Sequence, residues 1–263
     1  MTAPPAIELA VAGLTIRFGG LTAVDQMSFD VRQGEVLSLI GPNGAGKTSA
    51  FNAITGYIAP AAGAVTYRGA RLTGRKPNEI AQLGVVRTFQ KTSVFGGLSV
   101  LDNVLVGLHL RSKQRPLAIL LGAGSVAREE TALIAEADST LQFIGLAARA
   151  GQLASSLPYG ELRLLEVAIA LAAKPKFLLL DEPVCGLNPA ETASFMQLLA
   201  RIRARGITVL LVEHDMKMVM GVSDRIVCLN QGRIIADGTP EAIRNNPEVV
   251  RAYLGTHRVG AAR

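Results

Sequence analysis

The sequence predicts an α/β fold: a mostly parallel sheet, an antiparallel β subdomain at the N-terminus, and a helical subdomain inserted between two sheet strands. Three observations carry this expectation. The runs VLSLI (36–40), FLLL (177–180) and TVLLV (208–212) are continuously apolar, as strands covered on both faces must be. A glycine-rich stretch, GPNGAGKT (41–48), follows the first run and precedes a helical segment. Residues from about 92 to 173 carry mostly helical spacing.

Taken in order, Ile7, Leu9 and Val11, then Leu14, Ile16 and Phe18, then Met27, Phe29 and Val31 recur at every second position and predict short antiparallel strands. Val36–Ile40 is the first buried strand, and a helix follows to about Thr55. Leu133, Ile134, Ala137, Leu141 and Ile144 place one apolar face on a helix over 127–144. A second helix is expected over 162–173, after a loop at 155–160. The stretch 111–125, with three basic residues, a proline and a Leu/Gly run, reads as an irregular excursion. At the C-terminal end, Thr239-Pro240-Glu241 and Asn246-Pro247-Glu248 each offer an N-cap, a proline at the first helical position and an acid in the first turn. One domain over 1–263 is therefore expected, with residues 1–91 and 174–263 as core and 92–173 as the helical subdomain.

Of the 263 residues 49% are apolar and 18% charged, so a sizeable core can form and global disorder is excluded. Two cysteines, Cys185 and Cys228, exclude a disulfide scaffold and read as buried thiols in a reducing compartment. The opening MTAPPAIELA shows no basic segment followed by an apolar run. The longest uncharged stretch, 48–67, is interrupted by Asn52, Pro60 and two glycines, so the chain reads as soluble. The net charge of +6 is spread along the chain, with no Lys/Arg block interleaved with aromatics.

Gly41-Pro42-Asn43-Gly44-Ala45-Gly46-Lys47-Thr48 fits the phosphate-loop pattern G-x-x-x-x-G-K-[ST] in full. Glycines let successive backbone N–H groups curl around phosphate oxygens, and the following helix presents its positive end. Lys47 places a charge on the β/γ-phosphates, while the Thr48 hydroxyl is sized for Mg²⁺; Ser49 completes the stretch. The nucleoside triphosphate and Mg²⁺ are thus the expected ligands. Asp181, ending a buried strand, is expected to hold Mg²⁺, and Glu182 to orient or deprotonate the attacking water. His214, at the end of the next strand, is a candidate for the γ-phosphate, and Gln90 a candidate for Mg²⁺ or water.

The order of phosphate loop, Gln90, Leu157-Pro158-Tyr159-Gly160-Glu161, Phe177–Glu182, Gly186-Leu187-Asn188-Pro189 and His214 resembles the ATP-binding subunits of ABC transporters from about Ile7 to Gly255. The resemblance implies two such subunits sandwiching two ATP molecules. In each site one subunit's phosphate loop meets the other's 157–161 signature segment. It implies that Phe18 stacks on adenine, that Gln90 senses the γ-phosphate and touches the membrane partner, that His214 is the switch histidine, and that Gly186, Leu187 and Asn188 cross the dimer interface. Pro158, Tyr159 and Glu161 stand where the usual signature has Ser, Gly and Gln, and Ile169 where relatives often have Arg. The phrases RFGGLTAVD, GVVRTFQ, LPYGELRLLE, GLNPAET, VEHDMKMVMGVSDRI and GTPEAIRNNPEVVRAYLG are similar to the branched-chain amino acid importer ATPases, in particular to the partner with the longer helical insertion.

That resemblance implies an ATPase coupling dimer closure to uptake of branched-chain or related amino acids, on the cytoplasmic face of a bacterial inner membrane. The implied partners are two permease subunits, a second related ATPase (a homomeric pair being the alternative) and a periplasmic binding protein, with no nucleic acid. Export of lipid or lipopolysaccharide, and import of urea or amides, stay open as alternatives. A soluble ABC ATPase acting on ribosomes or in DNA repair fits less well, because one cassette fills the chain and no long coiled coil has room.

Overall fold

The computed structural model describes residues 5–88, 94–108 and 124–255. In chain order the elements are β1 (Ile7–Phe18), β2 (Leu21–Arg32), β3 (Val36–Ile40), α1 (Lys47–Ile54), β4 (Ala62–Tyr67), β5 (Ala70–Arg71), α2 (Pro77–Gln82), β6 (Val85–Arg87), α3 (Val100–Leu108), α4 (Gly124–Ile144) and α5 (Tyr159–Ala172). There follow β7 (Phe177–Asp181), α6 (Pro189–Ala204), β8 (Thr208–Val212), α7 (Met216–Val222), β9 (Arg225–Asn230), β10 (Arg233–Gly238), α8 (Pro240–Arg244) and α9 (Pro247–Gly255). The chain divides into two compact units. One comprises Met1–Arg87, Lys176–Cys185 and Pro189–Arg263; the other comprises Thr88–Pro175 and Gly186–Asn188.

The first unit holds both sheets. One is antiparallel in the order β2-β1-β4-β5; the other runs β10-β9-β3-β8-β7-β6, parallel from β9 to β6, with β10 as an antiparallel edge. Strands β3, β7 and β8 are buried at every position, which is what their unbroken apolar runs require. The alternating N-terminal residues form two 12-residue strands instead of several short ones. A bulge explains the difference. Leu9 and Val11 occupy odd positions and Leu14 and Ile16 even ones, so a regular strand would turn one pair outward. The register shifts between Val11 and Leu14, where Gly13 sits at φ +59° and donates its N–H to Ser28 Oγ at 2.8 Å. All four apolar side chains are consequently buried, and they join one core with Phe51, Leu39 and Phe177.

In the second unit Ala137, Leu141 and Ile144 of α4 are buried, but Leu133 is only half-buried and Ile134 is exposed. Helix α5 starts at Tyr159, three residues before the sequence suggests, because Pro158 at φ −56° takes the N-cap position and Glu161 supplies an acid to the first turn. Residues 111–123 of the expected excursion lie outside the described residues. Both C-terminal caps form: Thr239 Oγ1 accepts from Ala242 N, and Asn246 Oδ1 from Glu248 N. Cys228 is buried; Cys185 is only half-buried, and neither forms a disulfide. Among the described residues no helix is long and apolar enough to cross a membrane.

Candidate nucleotide site

The loop from Gly41 to Thr48 joins the end of β3 to the start of α1. It is held from three sides within the first unit. Ala45 N donates to Pro42 O (3.1 Å), Gly232 N in the β9–β10 turn donates to Ala45 O (3.0 Å), and Ala50 N bonds back to Gly46 O (2.9 Å). Gly46 adopts φ +104°, and a Cβ there would lie 2.5 Å from the Ala23 carbonyl oxygen of β2. Gly41, Ala45 and Lys47 are buried, Pro42, Gly46 and Ser49 are half-buried, and Asn43, Gly44 and Thr48 are exposed. The outer turn of the loop, at Asn43 and Gly44, and Thr48 at the start of α1 therefore face outward, as a phosphate cradle requires.

Lys47 reaches back across the loop and donates its ammonium to Gly41 O (2.7 Å) and Pro42 O (3.0 Å). Burial lowers its proton affinity, while Glu182, Cys228 and Asp181 oppose that effect. Asp181 closes β7 and is buried, and its Oδ2 accepts from Arg87 Nη2 at 2.6 Å. Burial raises the Asp181 carboxyl above its usual range, with the Arg87 hydrogen bond as the largest opposing effect. Glu182 follows in the left-handed region, φ +48°, its N–H donating to Val212 O at 2.8 Å. An ordinary side chain is uncommon there, and such backbone conformations gather at functional sites. His214 is exposed, with Nδ1 3.9 Å from Glu182 Oε1. Beneath it the buried Glu213 accepts from Val184 N and His214 N, both at 2.9 Å, so the histidine's backbone is fixed while its ring stays accessible. Phe18, at the end of β1, is 48% exposed and leaves a ring face for an apolar or aromatic ligand.

The donor chemistry fits Mg²⁺: the Thr48 hydroxyl and the Asp181 carboxylate are hard oxygens, and a nucleotide-bound Mg²⁺ needs only one or two protein ligands of this kind. Gln90 lies outside the described residues.

The remaining predicted positions belong to the second unit. Leu157 is buried and Pro158 and Tyr159 are exposed, with Tyr159, Gly160 and Glu161 forming the first turn of α5. Glu161 is paired with Arg149 at 3.1 Å, so its carboxylate is already partly neutralised. The Tyr159 hydroxyl accepts from Arg163 Nε at 3.0 Å, and Arg163 in turn pairs with Glu166 at 2.9 Å. The Tyr159 ring lies against Gly186, where any Cβ would come within 2.8 Å of it. Gly186 and Asn188 are exposed and Leu187 is half-buried. Sequence reasoning missed Arg87 and Glu213. A lone charge inside the apolar run VVR (85–87) and an acid directly after TVLLV were the available signals.

A phosphate loop between a buried parallel strand and a helix, with an Asp-Glu pair ending a second parallel strand, defines a P-loop nucleoside triphosphatase. More narrowly, the chain belongs to the ATP-binding family of ABC transporters and is an ABC ATPase. The ABC transporter family profile matches residues 24–185, and a profile described as branched-chain amino acid ATP-binding cassette transporter matches 233–259. The chain is 48% identical over 248 residues to the high-affinity branched-chain amino acid transport ATP-binding protein LivG of Salmonella typhimurium, covering 94% of this chain and 97% of that protein. Identity to BraF of Pseudomonas aeruginosa, which carries the same description, is 45% over equal coverage. Among solved structures it is similar to an ATP-binding cassette of an ABC transporter in its ADP conformation, with TM-score 0.84, 31% identity, and coverage of 95% of this chain and 99% of that one. A nucleotide-free cassette matches at TM-score 0.83 and 31% identity, covering 94% and 99%.

Proposed function

We propose that this chain is the ATP-hydrolysing subunit of an importer for branched-chain or related amino acids, bound to permease subunits at the cytoplasmic face of a bacterial inner membrane. The observation that carries the reading is the match of residues 233–259 to the branched-chain transporter profile, joined to 48% identity with LivG along nearly the whole chain. Two permeases, a second related ATPase and a periplasmic binding protein complete the assembly in this reading.

The loop 41–48 and the start of α1 bind the triphosphate through backbone N–H groups, and Lys47 exchanges its carbonyl partners for phosphate oxygens. Phe18 packs against the adenine. Thr48 and Asp181, with Gln90 as a further ligand, would hold Mg²⁺, which would supply charge neutralisation to the triphosphate. Glu182 orients the attacking water and takes its proton, and His214 contacts the γ-phosphate beside it. Residues 157–161 of a second cassette close over the nucleotide, with Gly186, Leu187 and Asn188 at the interface. Closure is favoured only when triphosphate is present, because those contacts are made to its charge.

The test is affinity capture of a tagged Glu182→Gln chain from detergent-solubilised membranes in MgATP. Recovery of two permeases and a related ATPase is the expected result. Recovery of the chain alone, or with RNA or ribosomes, would leave the ATPase chemistry standing and discard transport.

A further inference from the structure

Arg87 takes part in none of the steps above, yet it is a buried, hydrogen-bonded cation beside the end of β7. It closes β6, beside β7 in parallel register, with Arg87 paired to Leu179. Its side chain is 6% exposed and that of Asp181 is wholly buried. One guanidinium nitrogen, Nη2, donates to Asp181 Oδ2 at 2.6 Å. The other, Nη1, donates to Asn52 Oδ1 at 2.6 Å and lies 3.3 Å from Thr55 Oγ1. The guanidinium carbon stands 5.4 Å from the centre of the Phe51 ring. Phe51 and Asn52 belong to α1, and Thr55 is its C-cap. Arg87 therefore joins the end of the helix that begins at Lys47 and Thr48 to the carboxylate that ends β7.

We propose that Arg87 is a positioning residue for the magnesium site: its planar fork fixes the Asp181 carboxylate relative to α1, and so to Thr48 at the other end of that helix. Three features support this. A carboxylate this deeply buried is strongly destabilised without a partner, and Arg87 supplies a hydrogen-bonded cation. The fork is rigid and engages two elements at once, which a lysine's single ammonium cannot reproduce in the same geometry. And groups that orient a metal-binding carboxylate from behind typically change metal affinity about 10–100-fold when removed. The proposal rests on the reading of Asp181 as the Mg²⁺ carboxylate.

The experiment measures binding of a fluorescent ATP analogue to the purified full chain, once with Mg²⁺ and once with EDTA, and takes the ratio of the two affinities. Wild type, Arg87→Met, Arg87→Lys and Asp181→Asn are compared, with thermal denaturation of each. Asp181→Asn is expected to lower the ratio, which establishes the Asp181 reading independently. Arg87→Met is expected to lower it about 10-fold or more, and Arg87→Lys by a smaller factor. If Arg87→Met does not fold, the lysine variant carries the same test. A fall in melting temperature with an unchanged ratio would reduce Arg87 to a structural support and overturn the proposal. A raised ratio would overturn it too, since Arg87 would then oppose the cation. An unchanged ratio in Asp181→Asn would remove the Asp181 reading and the proposal together.

Discussion

Glu182 illustrates how a single residue in this site is held in a backbone conformation that its type does not favour. Glu182 adopts φ +48° directly after a fully buried strand, with its N–H tied to Val212 O. That constraint points the carboxylate away from the strand and toward His214. Glu182→Gln keeps the shape and removes the proposed base. Nucleotide binding is expected to stay near the wild-type value while kcat falls by about 10²–10³, measured by equilibrium binding and steady-state phosphate release. Turnover at the wild-type rate would remove Glu182 from the proposed role. Lys47→Ala should act on binding itself. Loss of a charged hydrogen bond worth about 1.5–3 kcal/mol weakens ATP binding by roughly 10–100-fold, read by titration with the same nucleotide.

At the scale of elements, the phosphate loop depends on a neighbour distant in sequence. Gly46 faces the Ala23 carbonyl of β2 at a distance that no Cβ can occupy, and its φ of +104° excludes an ordinary side chain in any case. Gly46→Ala should therefore move the loop or β2, lowering stability by about 1–3 kcal/mol and abolishing measurable ATP binding. Retention of wild-type affinity by that variant would show that the loop tolerates another path. The start of α5 carries a related lesson. Residues 155–160 read as loop, yet a proline is well suited to the start of a helix, and Tyr159 is anchored there by Arg163. The bulge at Gly13 is hidden in the sequence for a similar reason, since alternation that changes phase resembles two strands until both halves are seen facing one core.

Across the whole molecule, the two thiols report on packing. Cys228 lies in the middle of β9, fully buried, and burial pushes its thiol pKa from 9.0 up to about 11. A raised pKa in the folded state means that folding favours the neutral thiol. The associated stability is present in full below about pH 9 and is lost as pH rises to about 11. Wild type minus Cys228→Ala, compared by urea denaturation, should therefore lose about 2–3 kcal/mol over that window, because each tenfold change in proton affinity is worth about 1.4 kcal/mol. A pH-independent difference would refute the burial argument. Native-state thiol titration should show Cys185 reacting before Cys228, which reacts only on unfolding.

By itself the sequence determined the elements whose local pattern has one physical solution. The unbroken runs at 36–40, 177–180 and 208–212 can only be strands covered on both faces, and the spacing of glycines and Lys47 in 41–48 suits a phosphate-binding turn ahead of a helix. Thr239 and Asn246 cap the helices that follow them because capping is decided within four residues. Tertiary structure alone decided the pairing of Arg87 with Asp181 across 94 residues, the support of Gly46 by Ala23, and the seat of Tyr159 against Gly186. Those contacts depend on which strands lie side by side and how closely backbones approach. Such long-range packing leaves only a single charged or small residue as its trace in the chain.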